Sequence, residues 1–167
     1  REMENLVNMY FVRQKHPTGF ADAVMYARAF TGDEPFAILL GDDIIYTDEN
    51  TKPGIAQLVD CYYDTGKPAV AVMEVPDADI PKYANIRGEE IGERRYAIDK
   101  IVEKPAVKDK FSNNAVIGRY VVESDIYDII RNTPPSPKGE VYFTDALQYL
   151  ASQGRLIGCR FEGKRYD

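Results

Sequence analysis

Apolar residues recur along the chain with the spacings of both helices and strands. Between residues 20 and 30 they lie at i, i+3, i+4, i+7 and i+10, which is one face of a helix. Residues 9–12 form a short β-prone run before this helix, and residues 36–40 after it are continuously apolar, as in strands covered on both faces. A strand, a helix and a strand in this order predict a βαβ unit with parallel pairing.

The same alternation continues to the end of the chain. Further helices are predicted from Pro53 to Gly66, from Ser124, and from Thr144 to Gly154. Further strands are predicted at residues 69–75, 115–122 and 156–161, and residues 83–103 have the short alternations of a hairpin-like β excursion. The sequence therefore predicts an α/β fold, with a mostly parallel, Rossmann-like sheet flanked by helices and a small β insertion.

Composition and charge narrow the functional classes. With 167 residues, 44% of them hydrophobic, the chain can bury the core of one domain. Its net charge of −6 argues against a nucleic-acid partner, because proteins that bind a polyanion usually carry a basic face. No apolar run approaches the roughly 18 residues that span a bilayer, so no membrane partner is expected. Only Cys61 and Cys159 are present, without a signal-peptide pattern, so we expect reduced thiols and a cytoplasmic location.

Two adjacent acids, Asp42 and Asp43, follow the predicted strand at residues 36–40. In open α/β sheets, ligands bind at the carboxyl ends of strands. Mg²⁺ takes one or two carboxylates and completes its coordination with water and substrate phosphates, so this pair suits a magnesium site. Gly-Asp and Asp-Asp are also ordinary turn formers, and the local sequence leaves both interpretations open.

Five further segments, taken in order, carry a resemblance. They are "VRQKHPTG", "VEKP", "SNNAVIGRY", "GEVYFTDAL" and "GKRYD". Together they resemble the sugar-1-phosphate nucleotidylyltransferases, most closely the bacterial UTP–glucose-1-phosphate uridylyltransferases. The resemblance implies a fold of the nucleotide-diphospho-sugar transferase type and Mg²⁺-dependent transfer of a uridylyl group from UTP to glucose 1-phosphate, giving UDP-glucose and pyrophosphate. It also implies a homo-oligomer.

The resemblance implies a nucleotide and metal site. Asp42 matches a catalytic residue that binds the metal and the nucleotide, and Asp167 matches the second metal ligand. Gln14 and Gly19 match the element that reads the pyrimidine, since a carboxamide offers a donor and an acceptor and glycine lets the backbone come close. Asp43 falls at a variable position, for which a turn or supporting role is expected, and His16 is expected to be a loop residue.

A sugar-phosphate site is implied in the same way by Ala84, Glu103, Lys104, Asn113 and Val116. Glu103 can accept hydrogen bonds from sugar hydroxyls, and Lys104, a second catalytic residue, can pair with the phosphate. The alternatives are a strand end for Glu103 and Lys104, a turn role for Asn113 and strand packing for Val116.

Glu140 and Asp145 match a further segment of the uridylyltransferases. Helix capping by Thr144-Asp145 is the leading account of that segment.

The chain departs from the family pattern at three points. Tyr83-Ala84 stands where Tyr-Gly is usual, Ala21-Asp22 stands where Gly-His is usual, and the 167 residues contain no Gly-rich triphosphate loop.

We therefore weigh three hypotheses. The first is that residues 1–167 form a single nucleotidylyltransferase domain, truncated at both ends and inactive when isolated. The second is a noncatalytic regulatory paralogue that binds nucleotide sugars. The third is a metal-dependent glycosyltransferase. Because Asp42, Lys104 and Asp167 are all present, we favour the first.

Overall fold

The computed structural model describes residues 7–15 and 17–166. Within them, eight strands are formed. They are β1 (Phe36–Leu39), β2 (Ile44–Tyr46), β3 (Ala69–Glu74), β4 (Asn85–Gly92), β5 (Arg95–Val102), β6 (Asn114–Val122), β7 (Leu156–Arg160) and β8 (Lys164–Tyr166). The helices are α1 (Phe20–Met25), α2 (Arg28–Thr31), α3 (Gly54–Thr65), α4 (Ile126–Asn132) and α5 (Phe143–Ser152), with 3₁₀ helices at Asp77–Lys82 and Val107–Asp109.

Six of these strands form one sheet in the order β1-β6-β3-β7-β5-β4, and β2 pairs with β8 in a separate ribbon. The α/β class with a helix-flanked sheet is confirmed, but the expected mostly parallel pairing is corrected. Among the described pairings only β3 and β7 run parallel, and the others are antiparallel. A continuous apolar run indicates that both faces of a strand are covered. Here β6 is covered on both faces although it is antiparallel to all three strands with which it pairs, β1, β3 and β4.

The sheet is buried between two groups of helices. On one face, α1, α4 and α5 pack on alternate strand residues such as Val70 and Val72. On the other face, Leu58 and Cys61 of α3 pack on the strand residues that alternate with these, such as Ala71 between Val70 and Val72. This separation follows from the two-residue period of a strand, which points successive side chains to opposite faces.

The third helix forms where the sequence predicts it. It begins after Pro53 and ends at Gly66, which adopts the left-handed conformation with φ of 62° and donates its N–H to the Tyr62 carbonyl at 2.7 Å. Such a C-terminal glycine satisfies a carbonyl that the helix would leave unpaired. Cys61 of this helix and Cys159 of β7 are both buried and free.

Three local predictions are wrong. Residues 9–12 form no strand, and Phe11 is 89% exposed, because this β-prone run finds no partner strand among the described residues and an unpaired strand is not stable. The apolar stripe at residues 20–30 is divided between α1 and α2. The predicted cap Thr144 lies inside α5, whose N-cap is Tyr142 and which has no side-chain cap.

Among the residues described, no helix is both long and apolar enough to cross a bilayer.

Candidate active site

The loop between β1 and β2 is fastened to β6 through Asp43. This carboxylate is 3% exposed, and its Oδ2 accepts the Gly118 N–H at 2.7 Å. Arg119 donates to the carbonyls of Leu40 at 3.0 Å and of Gly118 at 2.8 Å, and also to the carbonyl of Asp43. The loop is therefore held at both of its ends by the neighbouring strand.

The second anchor of this loop is Arg165 of β8. Its Nε donates to Asp43 Oδ1 at 2.7 Å, and its Nη1 donates to the Tyr83 hydroxyl at 2.9 Å. The Arg165 side chain is only 12% exposed. Burial alone would lower the pKa of Arg165, but its hydrogen bonds to Asp43 and Tyr83 outweigh burial and raise that pKa. The guanidinium therefore stays charged and neutralises the buried carboxylate.

Asp42 differs from its neighbour, because it is exposed and lines a cavity of about 920 Å³. The predicted sugar-phosphate residues Ala84, Glu103, Lys104 and Val116 line this same cavity. These residues come from the β1–β2 loop, the start of β4, the end of β5 and β6. The fold thus brings together five sequence-predicted residues that are up to 74 positions apart, from Asp42 to Val116.

Glu103 and Lys104 are fixed where β5 ends. Lys104 has φ of 42°, an uncommon value for a residue with a side chain, and its N–H donates to the Tyr83 carbonyl at 3.1 Å. Its ammonium is 3.9 Å from Glu103 Oε1, while Glu103 Oε2 accepts the hydroxyl of Thr144. Local backbone strain is concentrated at functional sites, so this conformation fits a residue aimed at a ligand.

An aromatic cluster forms one wall of the cavity. The Tyr120 ring lies 5.8 Å from that of Phe20 and 5.3 Å from that of Phe143, measured between centroids. Burial raises the pKa of Tyr120, and the carboxylates of Glu103 and Asp43 raise it further. The raised pKa favours the neutral phenol, and the ring of Tyr120 forms part of the cavity wall.

A second cavity, of about 680 Å³, adjoins the first. It is lined by Gln14 and Gly19, and it shares Phe20 and Glu140 with the larger cavity. Gly19 has φ of 109°, and a Cβ at this position would lie 2.5 Å from Glu140 Oε1. Only glycine fits here, which brings the backbone close to the cavity.

One predicted site residue within the described ranges, Asn113, lines neither of these cavities. Its carboxamide donates to the Val75 carbonyl at 2.9 Å and to Asp77 Oδ1 at 2.8 Å, as the turn role would have it, and the expected sugar contact stays a prediction. Asp167 and His16 lie outside the described residues. Asp145 lines a different groove, between α4 and α5.

Arg165, Arg119, Tyr83 and Tyr120 are site residues that the sequence reasoning did not assign. The signal for Arg119 was its place in the apolar strand of "SNNAVIGRY", since a charged residue within an apolar strand needs a buried partner, whereas the polar segment "GKRYD" carries no such signal for Arg165.

Among the described residues, the exposed carboxylate of Asp42 is a suitable ligand for a magnesium ion. A carboxylate beside a cavity fits a cation that takes only one or two protein carboxylates. Within residues 7–15 and 17–166, no three acidic, histidine or cysteine side chains converge on one point. The other predicted ligand, Asp167, is not among those residues.

Comparison with known proteins identifies similar chains. The family described as nucleotidyl transferase matches residues 1–166. UTP–glucose-1-phosphate uridylyltransferase 2 of Streptococcus pyogenes serotype M1 is 40% identical over 163 residues, which cover 96% of this chain and 54% of that protein. UTP–glucose-1-phosphate uridylyltransferase 1 of Staphylococcus saprophyticus is also 40% identical over 163 residues, covering 98% of this chain and 56% of that protein. The chain thus spans about half the length of the curated relatives it matches.

Solved structures have the same fold. The crystal structure of UDP-glucose pyrophosphorylase complexed with UDP-glucose matches with a TM-score of 0.89 at 40% identity, covering 95% of this chain and 60% of that one. The UTP-bound UGPase from Acinetobacter baumannii matches with a TM-score of 0.82 at 29% identity, covering 93% of this chain and 53% of that one.

The contact between Gly118 and the β1–β2 loop predicts a specific loss of stability. A Cβ on Gly118 would lie 2.7 Å from Leu40 Cβ and 2.9 Å from Asp43 Oδ2, so Gly118→Ala should destabilise by about 1–3 kcal/mol. Gly92→Ala is the control, because no described atom lies within 4 Å of a Cβ there. Urea unfolding of both variants measures the difference, and equal stabilities would contradict the tight approach of this loop to β6.

Proposed function

The chain belongs to the nucleotidyl transferase family, and from this premise we propose that it is part of an enzyme that makes UDP-glucose and pyrophosphate from UTP and glucose 1-phosphate. The observation that carries the proposal is the convergence of Asp42, Ala84, Glu103, Lys104 and Val116 on one cavity beside the cavity of Gln14 and Gly19. The 40% identity to two proteins named as uridylyltransferases supports the choice of substrates.

The proposed reaction needs no covalent intermediate on the protein. A phosphate oxygen of glucose 1-phosphate attacks the α-phosphorus of UTP, the bond from that phosphorus to the bridging oxygen breaks, and pyrophosphate leaves. The protein contributes by holding the two phosphates in line and by neutralising their charge.

In the larger cavity, Lys104 pairs with the phosphate of the sugar. Its ammonium side chain is 60% exposed, and its nearest described acid is Glu103 at 3.9 Å, which is too long for a hydrogen bond. Glu103 accepts from a sugar hydroxyl through Oε1, because its Oε2 already accepts from Thr144. The fixed carboxylate thus orients the sugar while the flexible lysine follows the phosphate.

In the adjoining cavity, Gln14 and Gly19 bind the uracil of UTP. Phe20 and Glu140 line both cavities, so the base and the sugar lie on opposite sides of a shared boundary. Asp42, together with Asp167 as the resemblance implies, would hold Mg²⁺, which would neutralise phosphate charge and polarise the α-phosphate.

The assembly and location of this enzyme stay predictions. We propose that residues 1–167 are one nucleotidylyltransferase domain that continues beyond both ends, in agreement with a chain that spans about half of its curated relatives. A homo-oligomer and a cytoplasmic location are proposed with it. Two buried, unbridged cysteines are in keeping with a reducing compartment.

A pyrophosphate-release assay with UTP and glucose 1-phosphate tests the function. The full-length protein that contains this chain should release pyrophosphate and form UDP-glucose, whereas the isolated chain should not, because it has no Gly-rich loop for the triphosphate. A full-length protein that binds UDP-glucose without turnover would favour the noncatalytic paralogue. Transfer of glucose from UDP-glucose to an acceptor would favour the glycosyltransferase.

The position of Lys104 predicts its effect on kinetics. A charge-assisted hydrogen bond contributes roughly 1.5–3 kcal/mol, and every 1.4 kcal/mol is tenfold in affinity. Lys104→Ala in the full-length protein should therefore raise the KM for glucose 1-phosphate about ten- to a hundredfold, with a smaller effect on UTP. Lys104→Arg should rescue poorly, because a planar fork replaces a compact charge.

Steady-state kinetics with each substrate varied separately measure this effect. The matched control is Lys108→Ala, which removes an exposed lysine from the nearby 3₁₀ helix Val107–Asp109. Unchanged KM and kcat for both substrates in Lys104→Ala would mean that the segment "VEKP" does not contribute to the active site.

A further inference from the structure

We propose that Asp22 is a positioning residue that fixes the orientation of the Gln14 carboxamide and so makes the nucleotide cavity select uracil over cytosine. This inference deepens the proposed function and rests on it. It starts from a contact that the sequence does not reveal: Gln14 Nε2 donates to Asp22 Oδ2 and lies 3.4 Å from the Gly19 carbonyl oxygen. Gln14 and Asp22 are both partly buried.

The two partners of Nε2 are both acceptors without a proton to donate. A carboxylate and a backbone carbonyl can face the NH₂ end of a carboxamide, but they repel its oxygen. Rotating the carboxamide by half a turn would replace both attractive contacts with oxygen–oxygen contacts. Asp22 and Gly19 therefore hold the amide in one of its two orientations.

This orientation leaves Oε1 as the atom that Gln14 offers to a ligand. Among the described residues, no donor reaches Gln14 Oε1, and Gln14 lines the cavity of about 680 Å³ together with Gly19 and Glu140. The cavity thus presents a fixed acceptor where the carboxamide of an unanchored glutamine could present either an acceptor or a donor.

The two pyrimidines differ at the atom that such an acceptor would meet. Uracil carries a proton on N3 and can donate to Oε1. Cytosine has a lone pair at N3, so it would place an acceptor against an acceptor or would have to shift its ring to bring its amino group to Oε1. A base that covers Oε1 without donating to it leaves that oxygen unpaired, and the hydrogen bond to water that it loses is not replaced, which weakens binding of the mismatched ligand.

Replacing Asp22 by asparagine tests this role with little change of shape. Asparagine can accept from Gln14 or donate to it, so both side-chain amides can turn together and present Nε2 to the base, and only the longer contact of 3.4 Å with the Gly19 carbonyl oxygen still opposes the turn. In the full-length protein, Asp22→Asn should lower the ratio of CTP to UTP dissociation constants at least about tenfold, with CTP binding more tightly than in the unchanged protein. Asp33→Asn, an exposed acid beyond α2, is the control and should leave the ratio unchanged.

Calorimetric titration of UTP and of CTP gives this ratio without depending on turnover, and a thermal unfolding scan checks the fold of each variant. A purely structural role for Asp22 would weaken both nucleotides together and keep their ratio, and this result would overturn the inference while leaving UTP binding by the unchanged protein intact. Failure of the unchanged protein to bind UTP would overturn the proposed function and this inference with it.

Discussion

The ion pair between Asp43 and Arg165 is the interaction on which the rest of the site depends. It joins the loop after β1 to β8, and the hydrogen bonds of its two members extend it to Gly118 in β6 and to Tyr83. Asp43 is buried and the Arg165 side chain is only 12% exposed, so removing either one takes away a charge-assisted hydrogen bond that water replaces poorly, and breaking a buried pair typically costs about 3–5 kcal/mol. The pair also explains the unequal roles of two adjacent acids: Asp43 is held inside, so Asp42 is left exposed at the cavity.

Much of the fold can be predicted from the sequence where local chemistry decides it. The third helix was predicted from its apolar stripe and from Gly66, whose left-handed conformation a glycine adopts without strain. Strand direction was not predictable in this way. The apolar run of β6 shows burial on both faces, and that burial is the same for parallel and antiparallel neighbours. Residues 9–12 have a strand-like composition, but a strand also needs a partner, which composition does not supply.

The site residues that lie in short sequence motifs could be predicted, and those that depend on distant contacts could not. Asp42, Glu103 and Lys104 lie in segments that resemble a family, and the structure places them around one cavity. Arg165 was missed although its segment was noticed, because its function depends on a carboxylate 122 positions away in sequence. The contact of Gln14 with Asp22 was missed for a different reason: its donor and acceptor lie in a loop and a short helix, whose relative placement no apolar period determines.

A double-mutant cycle on Asp43 and Arg165 tests most directly whether this buried pair holds the site together. The variants are Asp43→Asn, Arg165→Met and their combination, in the full-length protein, with the free energy of unfolding measured in urea. Each single change should be strongly destabilising, and the double change should cost less than the sum of the two by at least about 1 kcal/mol. Losses that add to within about 0.5 kcal/mol would mean that the two charges act independently, and would contradict the account.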